Sequence, residues 1–172
     1  MSIGLNRMYP HIAYISVGSN LGAKLDNCRN GIAALTRSAD IQFIDQSPIY
    51  RTEPVDYQDQ DWFVNYVVKI ATLLDPLPLL SKLKSIEQSA GRTRDSVRFG
   101  PRVLDLDIIL YDDMVMDLPQ LVIPHPRMHK RRFVLKPVCD IDPHISHPVF
   151  HCTMQSLLEK IDEEGQRIAE YK

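Results

Sequence analysis

The chain has 172 residues, 44% of them apolar, with 20 basic and 22 acidic side chains and a formal net charge of -2. That length suits one globular domain spanning residues 1–172 with a sizeable core, and the near-neutral charge gives no global attraction to nucleic acid or to an anionic membrane. No apolar run approaches the ~20 residues of a bilayer span, and three scattered cysteines, Cys28, Cys139 and Cys152, make neither a metal spacing nor a disulfide framework, which points to a reducing cytoplasm.

Residues 1–11 lack the apolar centre of a signal peptide and read as a loosely held extension. Residues 11–17 predict a first strand, ended by Gly18-Ser19-Asn20-Leu21-Gly22. The glycine spacing departs from a phosphate-binding P-loop, so a tight turn is expected, with Asn20 or Asp26 capping the next helix. That helix is expected over about residues 25–38, with Ile32, Leu35 and Cys28 on its buried stripe.

Residues 41–46 predict a second strand. Residues 47–60 carry two prolines among mostly polar residues and predict a loop of functional length. A long third strand follows over 62–74, placing Phe63, Asn65, Val67 and Lys69 on one face and Val64, Tyr66, Val68 and Ile70 on the other. Asn65 is polar inside an apolar strand and needs a hydrogen-bond partner if buried. Pro76 and Pro78 open a second helix over 76–90, and Gly91 is placed as its stop.

Residues 92–113 read R-T-R-D-S-V-R-F-G-P-R-V-L-D-L-D-I-I-L-Y-D-D, with Arg92, Arg94, Arg98 and Arg102 against a single early acid, Asp95. The run from Val103 to Tyr111 has strand character. Strand alternation puts Val103, Asp105, Asp107 and Ile109 on one face and Leu104, Leu106, Ile108 and Leu110 on the other, so the two acids point the same way about 7 Å apart. Carboxylates held that close repel unless a cation lies between them, and a hard cation such as magnesium suits them. Asp-x-Asp on a strand is also a common solvated face. The flanking apolar residues and the adjoining arginines favour instead a polyanionic, metal-bound ligand such as a nucleoside triphosphate.

Short strands are expected at 114–116 and 121–123, a break at Pro124-His125-Pro126, a helix over 128–138, a loop at 143–148 and an amphipathic helix over 154–161. Residues 162–172 are expected to fray or to extend that helix. The order strand, helix, strand, strand, helix, strand is that of a split βαβ unit. The fold class is therefore α+β, a ferredoxin-like βαββαβ core whose antiparallel sheet is flanked by helices.

The string Arg98-Phe99-Gly100-Pro101-Arg102-Val103-Leu104-Asp105-Leu106-Asp107-Ile108-Ile109 resembles the signature of the 6-hydroxymethyl-7,8-dihydropterin pyrophosphokinase family of folate biosynthesis. Gly18-Ser19-Asn20-Leu21, Tyr50-Arg51-Thr52-Glu53-Pro54, Phe63-Val64-Asn65, Glu87, Gly91-Arg92-x-Arg94, Pro124-His125 and Arg131-x-Phe133 fall in family order and spacing, over about residues 12–160. The resemblance implies the same fold with strands and helices appended after Tyr111. It implies transfer of pyrophosphate from ATP to the pterin hydroxymethyl, with AMP leaving.

By the same resemblance, Asp105 and Asp107 would hold two magnesium ions, and Asp107 would also help deprotonate the attacking hydroxyl. Arg92, Arg94, Arg98 and Arg102 would neutralise the migrating phosphates, the first two on a loop that closes over the substrates. His125 and Arg131 match residues that contact the triphosphate, and Glu87 and Ile108 match positions lining the adenosine site. Phe63 and Phe133 would sandwich the pterin, with Asn65 and the backbone of Thr52 and Val55 reading its polar edge. Phe63 stands where bacterial relatives often have tyrosine, Asp95 where some carry a basic residue, and Glu53 where proline is frequent. The expected partners are these two small molecules, without nucleic acid or membrane, for a monomeric chain.

Two other readings use the same residues. A βαββαβ sheet can bind RNA through displayed aromatics, but here the central strand displays two acids. A metal-dependent hydrolase or nucleotidyltransferase would use the same carboxylates, and only its products separate it. A purely structural module leaves the arginine cluster without a role.

Overall fold

Two apolar strands, β1 (His11–Ser19) and β4 (Phe63–Thr72), form the centre of the sheet and pair antiparallel along their whole length, from His11 opposite Thr72 to Ser19 opposite Val64. In the computed structural model, which describes residues 8–91 and 100–172, both strands are buried nearly throughout. Their near-continuous Val, Ile, Tyr and Ala content suits strands covered on both faces. β5 (Asp105–Tyr111) pairs antiparallel with the free side of β1. β2 (Ile41–Gln46) and β3 (Tyr50–Thr52) share the free side of β4, one along each half, and β8 (Ile168–Glu170) extends the sheet beyond β3. The order is β5-β1-β4-β3-β8, with β2 also on β4, while β6 (Met116–Leu118) and β7 (Leu121–Ile123) form a separate hairpin.

Helices α1 (Lys24–Thr36) and α2 (Pro76–Ser89) cover one face of the sheet. Their Cys28, Ile32, Leu35, Leu79 and Leu83 pack with Ile15, Val17, Tyr66, Val68, Leu106 and Ile108. Burial of each such side chain is worth about 1.5–3 kcal/mol. A Cβ added to Gly31 of α1 would come 2.7 Å from a Leu104 methyl, so α1 sits tightly on the residue that leads into β5, and a larger side chain at 31 would push the two apart. α2 begins with prolines in its first turn and ends at Gly91, whose φ of 104° places it in the left-handed region. Helices α3 (Arg132–Ile141) and α4 (Met154–Glu159) cover the opposite face, where Val134, Leu135, Val138 and Met154 meet Tyr14, Val67, Ile109 and Leu110.

Several expectations are corrected. Leu110 shares the α3 face with Ile109 instead of following Ile108, because β5 carries a bulge: Ile15 pairs with Ile108 but Tyr14 pairs with Leu110. The expected 47–60 loop contains β3, and the third long strand is shorter at both ends than 62–74. The first short strand of the hairpin lies two residues later than expected. The expected 128–138 helix is a 3-10 turn (Met128–Lys130) followed, after extended Arg131, by α3. Neither Asn20 nor Asp26 caps α1, whose N-cap position is Ala23 with no side-chain bond.

The acidic end neither frays nor extends α4. It turns at Gly165 (φ 69°) and returns as β8 along β3, with Glu53 N donating to Arg167 O and Tyr171 N to Ile49 O. The reason is backbone chemistry: without β8 the outer edge of β3 would present unpaired N–H and C=O groups. Beside that edge, the guanidinium groups of Arg51 and Arg167 lie over the Trp62 ring, 5.3 and 5.1 Å from its centroid. Among the described residues no helix is long and apolar enough to cross a membrane.

Candidate active site

Strand register assembles the site. Asp105, Gly18, Asn65 and Tyr50 form one row across β5, β1, β4 and β3, and Asp107, Ser16 and Val67 form the next. Cross-strand partners emerge on one face, so both acids and Asn65 point toward α3. There they floor a cavity of about 280 Å³, walled by Phe63 on β4 and Phe133 on α3 and rimmed by Arg102, His125, Arg127 and Arg131. Thr52 and Val55 also line it.

The chain enters β5 through Arg102, which two distant contacts fix. Asn20 N donates to Arg102 O at 3.0 Å, and Arg102 N donates to Asn20 Oδ1 at 2.7 Å. The Asn20 amide also donates to Gln60 Oε1 and Asp61 O, so one side chain ties the turn after β1 to two loops around the cavity. Arg102 Nη1 donates to Asp105 Oδ1 at 2.8 Å, while its Nε is buried and has no hydrogen-bond partner among the described residues. A buried unpaired donor costs about 1–3 kcal/mol.

The carboxyl of Asp107 is held well above the usual carboxylate range, first by burial and then by the negative charge of Asp105. Among the described residues no group of three or more His, Cys, Asp or Glu side chains is arranged to hold a metal. A pair of acids suits magnesium nonetheless, since that ion takes one or two protein carboxylates and completes its shell with phosphate oxygens and water.

Opposite the acids, burial and the charges of Arg131 and Arg127 push His125 down to about 4. Its Nδ1 accepts from Arg127 N at 3.2 Å, so the neutral ring keeps its proton on Nε2 as a donor. Arg131 is 13% exposed and donates from Nη2 to Asp56 Oδ2 at 3.0 Å, and Arg127 reaches the same oxygen at 3.5 Å. The Arg131 guanidinium also lies 5.4 Å above the Phe133 ring. Asn65 is 6% exposed, and its Nδ2 donates to Thr52 Oγ1 at 2.6 Å.

The structure thus brings Asp105, Asp107, Arg102, His125, Arg131, Thr52, Val55, Phe63, Asn65 and Phe133 around one cavity. Glu87 and Ile108 do not line it. Glu87 is 1% exposed on the α2 side, where it accepts from Leu106 N at 2.7 Å and pairs with Lys84, and the Ile108 side chain belongs to the core beneath α1 and α2. Arg92, Arg94 and Arg98 lie outside the described residues. Asn20, Asp56, Gln60 and Arg127 were not expected at the site. Arg127 is foreshadowed by the basic run after Pro126, whereas Asp56 and Gln60 are single polar residues in a polar loop.

The sequence model of the 7,8-dihydro-6-hydroxymethylpterin-pyrophosphokinase (HPPK) family matches residues 14–143. The chain is 40% identical over 162 residues to 2-amino-4-hydroxy-6-hydroxymethyldihydropteridine pyrophosphokinase of Bacillus subtilis, covering 94% of this chain and 92% of that protein. It is 41% identical over 157 residues to the folic acid synthesis protein fol1 of Schizosaccharomyces pombe, covering 91% of this chain but 21% of that longer protein. The fold is similar to that of wild-type Plasmodium falciparum HPPK-DHPS solved with pteroate, with a TM-score of 0.69 at 17% identity over 87% of this chain and 42% of that one.

Proposed function

The chain belongs to the HPPK family, and from that membership we propose that it transfers pyrophosphate from ATP to the hydroxymethyl group of 6-hydroxymethyl-7,8-dihydropterin, a step of folate biosynthesis. The observation that carries this reading is a single cavity in which Asp105 and Asp107 face Asn65 and two phenylalanine rings. One end suits a metal-bound polyphosphate and the other a flat heterocycle with a polar edge.

In the reaction the pterin hydroxymethyl oxygen bonds to the β-phosphorus of ATP. The bond from that phosphorus to the oxygen bridging the α-phosphate breaks, and AMP leaves with the bridging oxygen. The hydroxyl proton passes to Asp107. Phosphoryl-type transfer asks mainly for positioning and charge neutralisation. Asp105 and Asp107 would hold two magnesium ions, which when bound supply charge neutralisation at the phosphate oxygens. Arg102, Arg131 and the Nε2–H of His125 bind the triphosphate, joined by Arg92, Arg94 and Arg98. Phe63 and Phe133 stack on the pterin, and Asn65, with the backbone of Thr52 and Val55, reads its edge.

Ile108 and Glu87 serve the adenosine indirectly. Leu106 N points out from the sheet to Glu87, and the two-residue repeat of a strand turns the Ile108 N–H and C=O to the same outer edge of β5. The adenine would meet that backbone, not the Ile108 side chain. In this reading the sheet and its helices form a ferredoxin-like core, and the chain works as a monomer in the cytoplasm, whose reducing conditions suit its three free cysteines. The test is incubation with ATP, magnesium and the hydroxymethyl-dihydropterin: AMP and pterin diphosphate should appear in equal amounts. AMP or ADP formed at the same rate without pterin overturns it.

A further inference from the structure

Gly18 lies in the middle of the cavity floor, with Asp105 beside it on β5 and Asn65 beside it on β4. Its φ is not positive, unlike those of Gly22, Gly91 and Gly165, so the backbone there is one that any residue adopts. What a side chain lacks at this position is space. A Cβ at residue 18 would stand 2.5 Å from Asn65 Oδ1, and its next neighbours are Asn65 Cγ at 3.6 Å and Val64 O at 3.8 Å. The conflict therefore falls on a single atom, the acceptor end of the Asn65 amide.

That amide is held from its other end. Asn65 Nδ2 donates to Thr52 Oγ1 at 2.6 Å, and both residues are buried. With the Nδ2 end anchored on β3 and the Oδ1 end lying over a bare Cα, the amide has one orientation. A methyl at residue 18 would displace Oδ1 by rotation about the short Asn65 side chain. The Thr52 bond would then break, while the ordered backbone of β1 and β4 stays in place, because no main-chain atom is closer than 3.8 Å to the new carbon.

We infer that Gly18 is a positioning residue for pterin recognition: by having no side chain it fixes the Asn65 amide, and so sets the hydrogen-bond pattern that the site offers to the heterocycle. The inference rests on the proposed pterin reading of the site. It assigns Gly18 no part in holding the nucleotide, although Asp105 is its neighbour, since the only atom its Cβ would crowd belongs to Asn65.

The experiment compares wild type, Gly18→Ala, Asn65→Ala and the double variant, using the full chain with magnesium, ATP and hydroxymethyl-dihydropterin. Gly18→Ala should fold with nearly unchanged melting temperature and ATP affinity. Its dissociation constant and KM for the pterin should rise about 10- to 100-fold, the loss expected for one or two buried hydrogen bonds. In the Asn65→Ala background the same substitution should cost less than about twofold, because the crowded atom is gone. An equal cost in both backgrounds, an equal loss of ATP and pterin binding, no loss at all, or failure of Gly18→Ala to fold would each overturn the inference. Wild-type protein that neither binds the pterin nor forms AMP with it would instead refute the functional reading on which the inference rests.

Discussion

Arg102 Nη1 donates to Asp105 Oδ1 at 2.8 Å, so one of the two acids that face the cavity is already paired with a guanidinium from the residues just before β5. Asp107, two residues on, lies near the charges of Lys84 and Arg131 but makes no such close bond among the described contacts, and it carries the raised pKa. The two carboxylates are neighbours on one face yet differ in chemistry. Asp105 is bound to a guanidinium, whereas Asp107 is kept reluctant to ionise by burial.

Arg102→Ala should weaken the binary complex with magnesium ATP by about tenfold or more, since it removes a cation preset on the cavity rim. The melting temperature should change little, because the contacts to Asn20 are made by the Arg102 backbone. Arg102→Lys should not restore affinity, as an ammonium lacks the planar fork. Calorimetric titration with ATP decides it, and unchanged affinity in Arg102→Ala would remove this residue from the nucleotide site.

Asp105→Ala and Asp107→Ala should each lower turnover by about a hundredfold or more. For the protein free of metal, Asp107→Asn should raise the melting temperature at neutral pH, because it deletes a charge that burial and Asp105 both oppose. Scanning calorimetry in the presence of a chelator is the measurement. A lower melting temperature would mean that the Asp107 carboxylate stabilises the fold.

Phe133→Ala should weaken pterin binding by about tenfold or more, from lost apolar contact and ring stacking. ATP binding should fall far less, the residual effect coming through Arg131, whose guanidinium rests over the Phe133 ring. Equal losses for both ligands would mark Phe133 as packing for the wall and nothing more.

His125 makes the stability of the free protein depend on pH. Its pKa falls from about 6.5 in the unfolded chain to about 4 in the fold. The unfolded state therefore binds the proton more readily, and folding is penalised as pH drops. The stability is fully present above about 6.5 and is lost progressively toward pH 4, by up to about 3 kcal/mol. His125→Gln should flatten that part of a urea-denaturation profile. Profiles that stay parallel between pH 7 and 4 would assign the acid sensitivity to other groups.

The chemistry of β5 was legible in the sequence because strand period alone puts Asp105 and Asp107 side by side, whatever they pair with. The bulge at Ile109 was not, since it is defined by the register against Tyr14 and Ile15 almost a hundred residues earlier. β8 was hidden for a related reason: residues 162–172, which carry it, are mostly polar and acidic and resemble a solvated tail, and only the open edge of β3 gives β8 a partner. Asn20 has the identity of a helix cap, yet its bonds run to Arg102, Gln60 and Asp61, across distances that local pattern does not reach. Asp56 and Gln60 sit in a polar loop without periodicity, so nothing but the folded geometry distinguishes them from ordinary surface residues.

The chain has one tryptophan, and it is the residue whose ring the Arg51 and Arg167 guanidiniums lie over. Phe63, the next residue, forms a wall of the cavity, so one peptide unit joins the indole to the ring expected to stack on the pterin. Excitation at the red edge of the indole band therefore addresses a single chromophore one residue from that wall, with no labelling needed. Its emission responds to the polarity and charge around it, and a ligand that shifts Phe63 moves the indole relative to its two cations. Stopped-flow fluorescence can thus time events at the heterocycle end of the cavity separately from the release of AMP.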